Sequence, residues 1–187
     1  MKTDPNGGRS SATPNERSPD DIAEQSSRSS PLHGPRRKKP AYFPTVDVGF
    51  RSIIIFLTVC AQGRRPLLAN NEAVQLVMAA WRSANFWRVG RYVIMPDHIQ
   101  LFCAPNMFPP RSLKNRITFW RNHVTRAWPV RHEIPIWQRD YWDRQLRRGE
   151  SYAQKWDYVL NNPVRHGYVA RAEEWPYQGE LNVYWHD

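Results

Sequence analysis

The chain is short of acid, of cysteine and of long apolar runs, and each shortage excludes something. Only 17 Asp and Glu stand against 27 Lys and Arg, for a formal net charge of +10. An anionic partner is therefore implied, with nucleic acid first and an anionic membrane surface second. Two cysteines, Cys60 and Cys103, sit in apolar, strand-like runs. They read as small buried hydrophobes in a reducing compartment rather than as a secreted disulfide scaffold. No apolar run is long enough to span a bilayer, and the N-terminus lacks the apolar segment of a signal peptide. These absences predict a cytoplasmic protein that does not use a membrane. There is no internal repeat.

What is present divides at about residue 40. Residues 1–40 are rich in Ser, Pro, Asn and charge and nearly free of large apolar side chains, a composition that predicts a disordered tail. The basic run Arg36-Arg37-Lys38-Lys39 closes it as a solvated linker. The tail holds eight Lys/Arg and five Asp/Glu, leaving 19 against 12, so about +7 of the excess belongs to residues 41–187. Nine Trp and eight Tyr are interleaved with those cations, which suits an ordinary core as well as stacking on unpaired bases.

Within 41–187 the run Ser52 to Cys60 is apolar and β-branched, which predicts a strand buried on both faces. A loop carrying Arg64 and Arg65 follows. Asn70 or Asn71 then caps a helix striped with Val74, Val77, Met78 and Trp81. Trp87–Met95 and His98–Ala104 form an expected antiparallel pair, broken at Met95-Pro96-Asp97. From Arg111 to Trp128 the residues Leu113, Ile117, Trp120, Val124 and Trp128 recur at helical spacing, with Lys114, Arg121 and Thr125 on a neighbouring face. Ile136 to Asp143 reads as a short strand or extended loop. A last helix starts at Ser151, with Gln154 completing a capping-box pattern, and stops at Pro163. Its stripe Tyr152, Trp156 and Val159 turns inward, and the aromatic C-terminal stretch wraps back onto the body. Two helices covering one face of a small antiparallel sheet satisfy this order, an α+β architecture.

Two clusters carry chemistry. Alternation along a strand puts His98 and Gln100 on one face and Ile99 and Leu101 on the other, so an imidazole nitrogen and an amide oxygen project together. On the last helix Ser151, Lys155, Tyr158 and Asn162 follow one another at helical spacing. A tyrosine nucleophile needs a neighbouring cation or a metal-polarised phosphate, because a free phenol keeps its proton near neutrality. Lys155 is placed to supply that cation. Asn162 offers an oxygen that, with His98 and Gln100, would suit a hard divalent ion, Mg²⁺ or Mn²⁺.

Met95-Pro96-Asp97-His98-Ile99-Gln100-Leu101 resembles the signature of the IS200-like single-tyrosine HUH transposases, and most closely that of the REP-associated tyrosine transposases. Trp137 to Asp143, Asp157 to Gly167 and Glu174-Trp175-Pro176-Tyr177 are similar to that group's late motifs, and Phe56-Leu57-Thr58 and Arg64-Arg65-Pro66-Leu67-Leu68 to its early ones. The resemblance covers about residues 42–180. It implies a ferredoxin-like α+β domain, monomeric or homodimeric, that binds a DNA hairpin and cuts the adjoining single strand. It also implies a 5′-phosphotyrosine at Tyr158, with His98, Gln100 and Asn162 as metal ligands, and Lys155, one turn before the tyrosine, is the catalytic cation expected beside it. Arg64, Arg65, Lys114, Arg121 and Arg165 are the expected DNA contacts, and the protein would associate with the nucleoid when bound. The chain departs from the pattern at Gln100, where a second His is usual. An amide oxygen there weakens transition-metal binding but is tolerable for Mg²⁺. Two other readings stand: a DNA-binding module without chemistry, and a ribonuclease acting through the same basic surface.

Overall fold

The structure is a computed structural model and describes residues 53–107, 109–146 and 151–184. The expected tail, residues 1–40, lies outside the described residues. The chain runs β1 (Ile55–Cys60), α1 (Asn71–Ser83), β2 (Trp87–Ile94), β3 (His98–Pro105), α2 (Leu113–Ala127), β4 (Trp142–Gln145), α3 (Tyr152–Leu160), α4 (Asn162–Arg165) and β5 (Gln178–Glu180). The strands make one antiparallel sheet in the order β4-β1-β3-β2-β5. Its first six elements give the βαββαβ order with strands 4-1-3-2, a ferredoxin-like α+β arrangement, and β5 extends the β2 edge.

Local chemistry explains the helices. Asn70 caps α1, its side-chain oxygen accepting from the Ala73 amide at 2.9 Å. Ser112 and Ser151 do the same for α2 and α3, accepting from Asn115 and Gln154. α1 turns Ala73, Val77, Ala80 and Trp81 inward and α2 turns Leu113, Ile117, Trp120 and Val124, so each buries one stripe at helical period. Both stripes meet the sheet face carrying Ile55, Leu57, Val59, Ile99, Leu101 and Cys103. Trp120 is the keystone of this layer, edge-on to Trp81 at 6.1 Å and to Trp137 at 5.1 Å. Trp128 caps the end of α2, and its indole N–H donates to Glu133 at 2.7 Å.

The helices expected on one face are thus α1 and α2, and the structure adds a second layer behind the sheet. Ile54, Phe56, Val93 and Phe102 point the other way and pack against Tyr152 and Val159 of α3, with Leu146 and Trp175. Period-two alternation requires this: strands apolar on both sides leave two faces to cover. The C-terminal stretch does wrap back. Trp175 donates its indole N–H to the Ile94 carbonyl at 3.0 Å, and Tyr184 packs so near Gly90 that a side chain there would collide with its ring.

Two boundaries differ from expectation. β4 begins at Trp142, late in the stretch expected as a strand or extended loop, and only an isolated bridge joins Trp137 to Ala61. α3 ends at Leu160 rather than at Pro163, and Pro163 instead occupies the first turn of α4. Proline is tolerated there because first-turn amides have no intrahelical acceptor. α4 then exits through Gly167, whose φ of 73° suits a residue without a Cβ. Among the described residues no helix is long and apolar enough to cross a membrane.

Trp120→Ala is expected to cost about 3–5 kcal/mol of stability, against about 1 kcal/mol for Asn70→Ala. Urea unfolding followed by tryptophan fluorescence measures both, and a loss at Trp120 no larger than at Asn70 would remove that ring from the centre of the core.

Candidate functional site

The site is assembled on the α3 side of the sheet, where β3 presents His98 and Gln100. The Met95-Pro96-Asp97 turn aims the first of these. His98 is only 6 % exposed, and its Nδ1 lies 2.7 Å from the Asp97 carboxylate. That carboxylate in turn meets Arg64 at 3.2 Å. A carboxylate on Nδ1 selects the tautomer with the proton on that nitrogen and leaves Nε2 with a free lone pair. Burial is the largest influence on His98 and holds its pKa below the ordinary imidazole value, although Asp97 pulls the other way. The imidazole is therefore neutral near pH 7, the form that can ligate a metal.

Gln100 and Asn162 join the sheet to the last helices. The Asn162 amide donates to Gln100 Oε1, and Arg165 donates to Asn162 Oδ1. Asn162 is 4 % exposed, so both ends of its amide are satisfied in a dry setting. The Arg165 guanidinium then lies over the Tyr158 ring, 3.9 Å from its centroid. Lys155 Nζ sits 5.0 Å from the same ring and 4.9 Å from that of Phe56. Tyr158 itself is 53 % exposed. Arg165, chiefly through a side-chain hydrogen bond, lowers its phenol pKa, and Lys155 adds a smaller push the same way. A polar chain thus runs from β3 through Gln100, Asn162 and Arg165 to an exposed, cation-flanked phenol.

This arrangement unites most of the residues singled out in the sequence but distributes their tasks differently. Asn162 spends its oxygen on a guanidinium, an environment hostile to a second cation, so it acts as a brace between Gln100 and Arg165. Gln100 Oε1 accepts one hydrogen bond and retains a second lone pair. His98 Nε2 and Gln100 Oε1 therefore fit a divalent ion, and the oxygen of Asn162 does not as it stands. Among the described residues no three His, Cys, Asp or Glu side chains gather as a metal cluster.

The expected DNA cations also divide. Arg65 donates to the carbonyls of Gln62, Glu133 and Pro135, and Arg121 to those of Gln138 and Arg139. Both pin loops to the body. Arg64 supports Asp97, Arg165 supports Tyr158, and Lys114 stands exposed on α2. One residue was not singled out. His166 ends α4, its amide bonded to the Asn162 carbonyl at 3.0 Å, and it is near enough to His98 to contribute a small part of the lowering of that residue's pKa. Its spacing of four from Asn162 was the available signal.

No protein-family model matches the chain. A Haemophilus influenzae protein provisionally named REP-associated tyrosine transposase is 35% identical over 98 residues, which are 45% of this chain and 53% of the relative. The Escherichia coli K12 REP-associated tyrosine transposase is 27% identical over 128 residues, 65% of this chain and 73% of the relative. The chain is similar in sequence to both of these proteins. The aligned part spans about half the length of the Haemophilus protein. A solved REP-associated tyrosine transposase bound to a REP hairpin superposes with a TM-score of 0.59 at 21% identity, covering 73% of this chain and 82% of that one. That likeness shows that the fold is shared with these transposases.

Because the folded pKa of His98 lies below that of the unfolded imidazole, the unfolded chain takes up a proton that the folded chain refuses. Stability is expected to fall as pH drops through the window between the two values. Asp97→Asn removes an influence that raises the folded pKa and should widen the window to lower pH. NMR titration of the His98 ring checks this, and an unchanged or higher pKa in Asp97→Asn would contradict the pairing.

Proposed function

We propose that this protein nicks and joins single-stranded DNA beside a hairpin, through a covalent 5′-phosphotyrosine at Tyr158. The observation that carries the reading is the polar chain that ties the helix of Tyr158 to the strand of His98. It holds an exposed phenol between two cations and within one domain of a neutral, buried imidazole. The homologues' names and the solved relative's REP hairpin support DNA as the substrate.

Tyr158 loses its proton to solvent, assisted by Arg165 and Lys155, which stabilise the phenolate. Its oxygen attacks the phosphorus of the scissile phosphodiester. The bond from phosphorus to the 3′-oxygen breaks, that oxygen takes a proton from water, and the 5′-phosphate stays on Tyr158. A 3′-OH later attacks the same phosphorus and releases the tyrosine, so the phosphodiester count is conserved. His98 Nε2 and Gln100 Oε1 would hold a divalent ion, Mg²⁺ or Mn²⁺, which when bound supplies Lewis-acid polarisation of the phosphate. Asp97 orients His98 for that task. Asn162 and Arg165 set the distance of Tyr158 from the strand.

A second reading, a hairpin-binding protein with impaired cleavage, is favoured by one observation: Gln100 replaces an expected imidazole and its oxygen already accepts from Asn162. Gln100→His separates the two, since cleavage appearing only in that variant would mark the native site as decayed.

Wild type incubated with a REP-like hairpin bearing a single-stranded flank and Mn²⁺ should yield a protein–DNA adduct stable to SDS, and Tyr158→Phe should yield none. An adduct in Tyr158→Phe would refute the nucleophile. Arg165→Met should slow adduct formation roughly tenfold near pH 7 and move the rise of rate with pH to higher pH, because the phenol loses its principal cation. A pH profile identical to wild type would deny Arg165 that role.

A further inference from the structure

The outer face of α2 is not used by the site and has an unusual composition. The sequence of α2, Leu113–Ala127, contains no Asp or Glu. Its solvent side carries Lys114, Phe119, His123 and Arg126, all exposed. Phe119 is half in water, 50 % exposed, with the His123 ring 6.3 Å away. Just before the helix, Arg111 lies 4.0 Å over the centre of Phe86, itself 37 % exposed. Phe119, His123 and Arg126 keep to spacings of four and three, so they follow one line along the helix, and Arg111 lies two residues before its first turn. At 1.5 Å per residue the line from Phe119 to Arg126 is about 10 Å long.

An exposed phenylalanine on a helix costs solvation and contributes nothing to a core already filled from the other side. A cation before the helix and another in its last turn, aromatic rings between them and no acid in the helix match what an unpaired strand requires: charge for phosphates and π surfaces for bases. A second copy of this chain would fit poorly, since a two-fold contact through this face would set arginines against arginines.

The position is informative too. α2 packs on the sheet face opposite His98 and Gln100. Its C-terminal half nonetheless reaches the same end of the sheet. Arg121 holds the Gln138 carbonyl, the Gln138 amide bonds Cys60, and Cys60 pairs with His98. A strand leaving the candidate site and passing over that end would meet Arg126 and His123 first, then Phe119, then the Phe86–Arg111 pair.

We infer that the outer face of α2 is a second nucleic-acid surface, a stacking track for single-stranded DNA centred on Phe119 and flanked by Arg111, Lys114 and Arg126. It extends the preceding reading by a binding site on the opposite side of the sheet and rests only on its DNA-binding half. Affinity then depends on the length of unpaired DNA as well as on the hairpin.

Fluorescence anisotropy with a labelled oligothymidylate of about 20 nucleotides, in EDTA so that no cleavage occurs, tests this directly. Phe119→Ala should weaken binding about tenfold, Phe119→Trp should restore it, and a blunt hairpin without a flank should bind Phe119→Ala as it binds wild type. Arg126→Gln should reduce the slope of log affinity against log salt by about 0.7. Because Phe119 and Arg126 are exposed, neither change threatens folding. Wild type that does not bind the oligothymidylate, or Phe119→Ala that binds it as tightly as wild type, overturns the proposal. So does a wild-type dimer that Phe119→Ala dissociates without loss of oligothymidylate affinity, which would assign the face to self-association. Absence of the covalent adduct would instead count against the chemistry at Tyr158 and leave this binding result standing.

Discussion

The amide-to-amide hydrogen bond between Asn162 and Gln100 is the joint on which the site depends. It links two segments 62 residues apart, one on a central strand and one on a short helix. Being largely dry, it would leave buried polar atoms unsatisfied if broken, a cost larger than its net contribution when made. From it the arrangement extends in two directions, along β3 to His98 and through Arg165 to Tyr158. An exposed tyrosine would otherwise have nothing but its own helix to locate it.

Charge is handled in the same manner around this joint. Arg64, Asp97 and His98 form one line, and Gln100, Asn162, Arg165 and Tyr158 another. The first turns an imidazole that burial keeps neutral against the pull of Asp97. The second presents a phenol with cations on its face. Both use arginines as struts, as do the loops held by Arg65 and Arg121. A formal charge of +10 therefore overstates the cations left for a partner, and those on the outer face of α2 gain weight accordingly.

Helix and strand positions were legible because their signals are local. Asn70 and Ser151 are capping residues, the stripes of α1 and α2 repeat at helical period, and the alternation around His98 matches a strand with one side on the main core. The boundary at Pro163 was misjudged because proline both ends helices and begins them, and only the turn at Asn161 decides which. The second packed layer was less visible. Its residues, from Ile54 and Phe102 to Trp175, are scattered along the chain and meet only when the sheet is covered on both faces.

The resemblance and the alternation of β3 pointed to His98, Gln100, Tyr158 and Asn162 before any fold was known, since chemistry and spacing are properties of the chain itself. Which partner each side chain takes was settled by tertiary structure. Asn162 turned to Gln100 and Arg165, His166 rather than a second strand histidine became the imidazole nearest in influence to His98, and two expected DNA cations were drawn into capping carbonyls. A hydrogen bond needs its groups within about 3 Å, and distances of that order between residues sixty positions apart are set by how the sheet and helices pack, which no local pattern encodes.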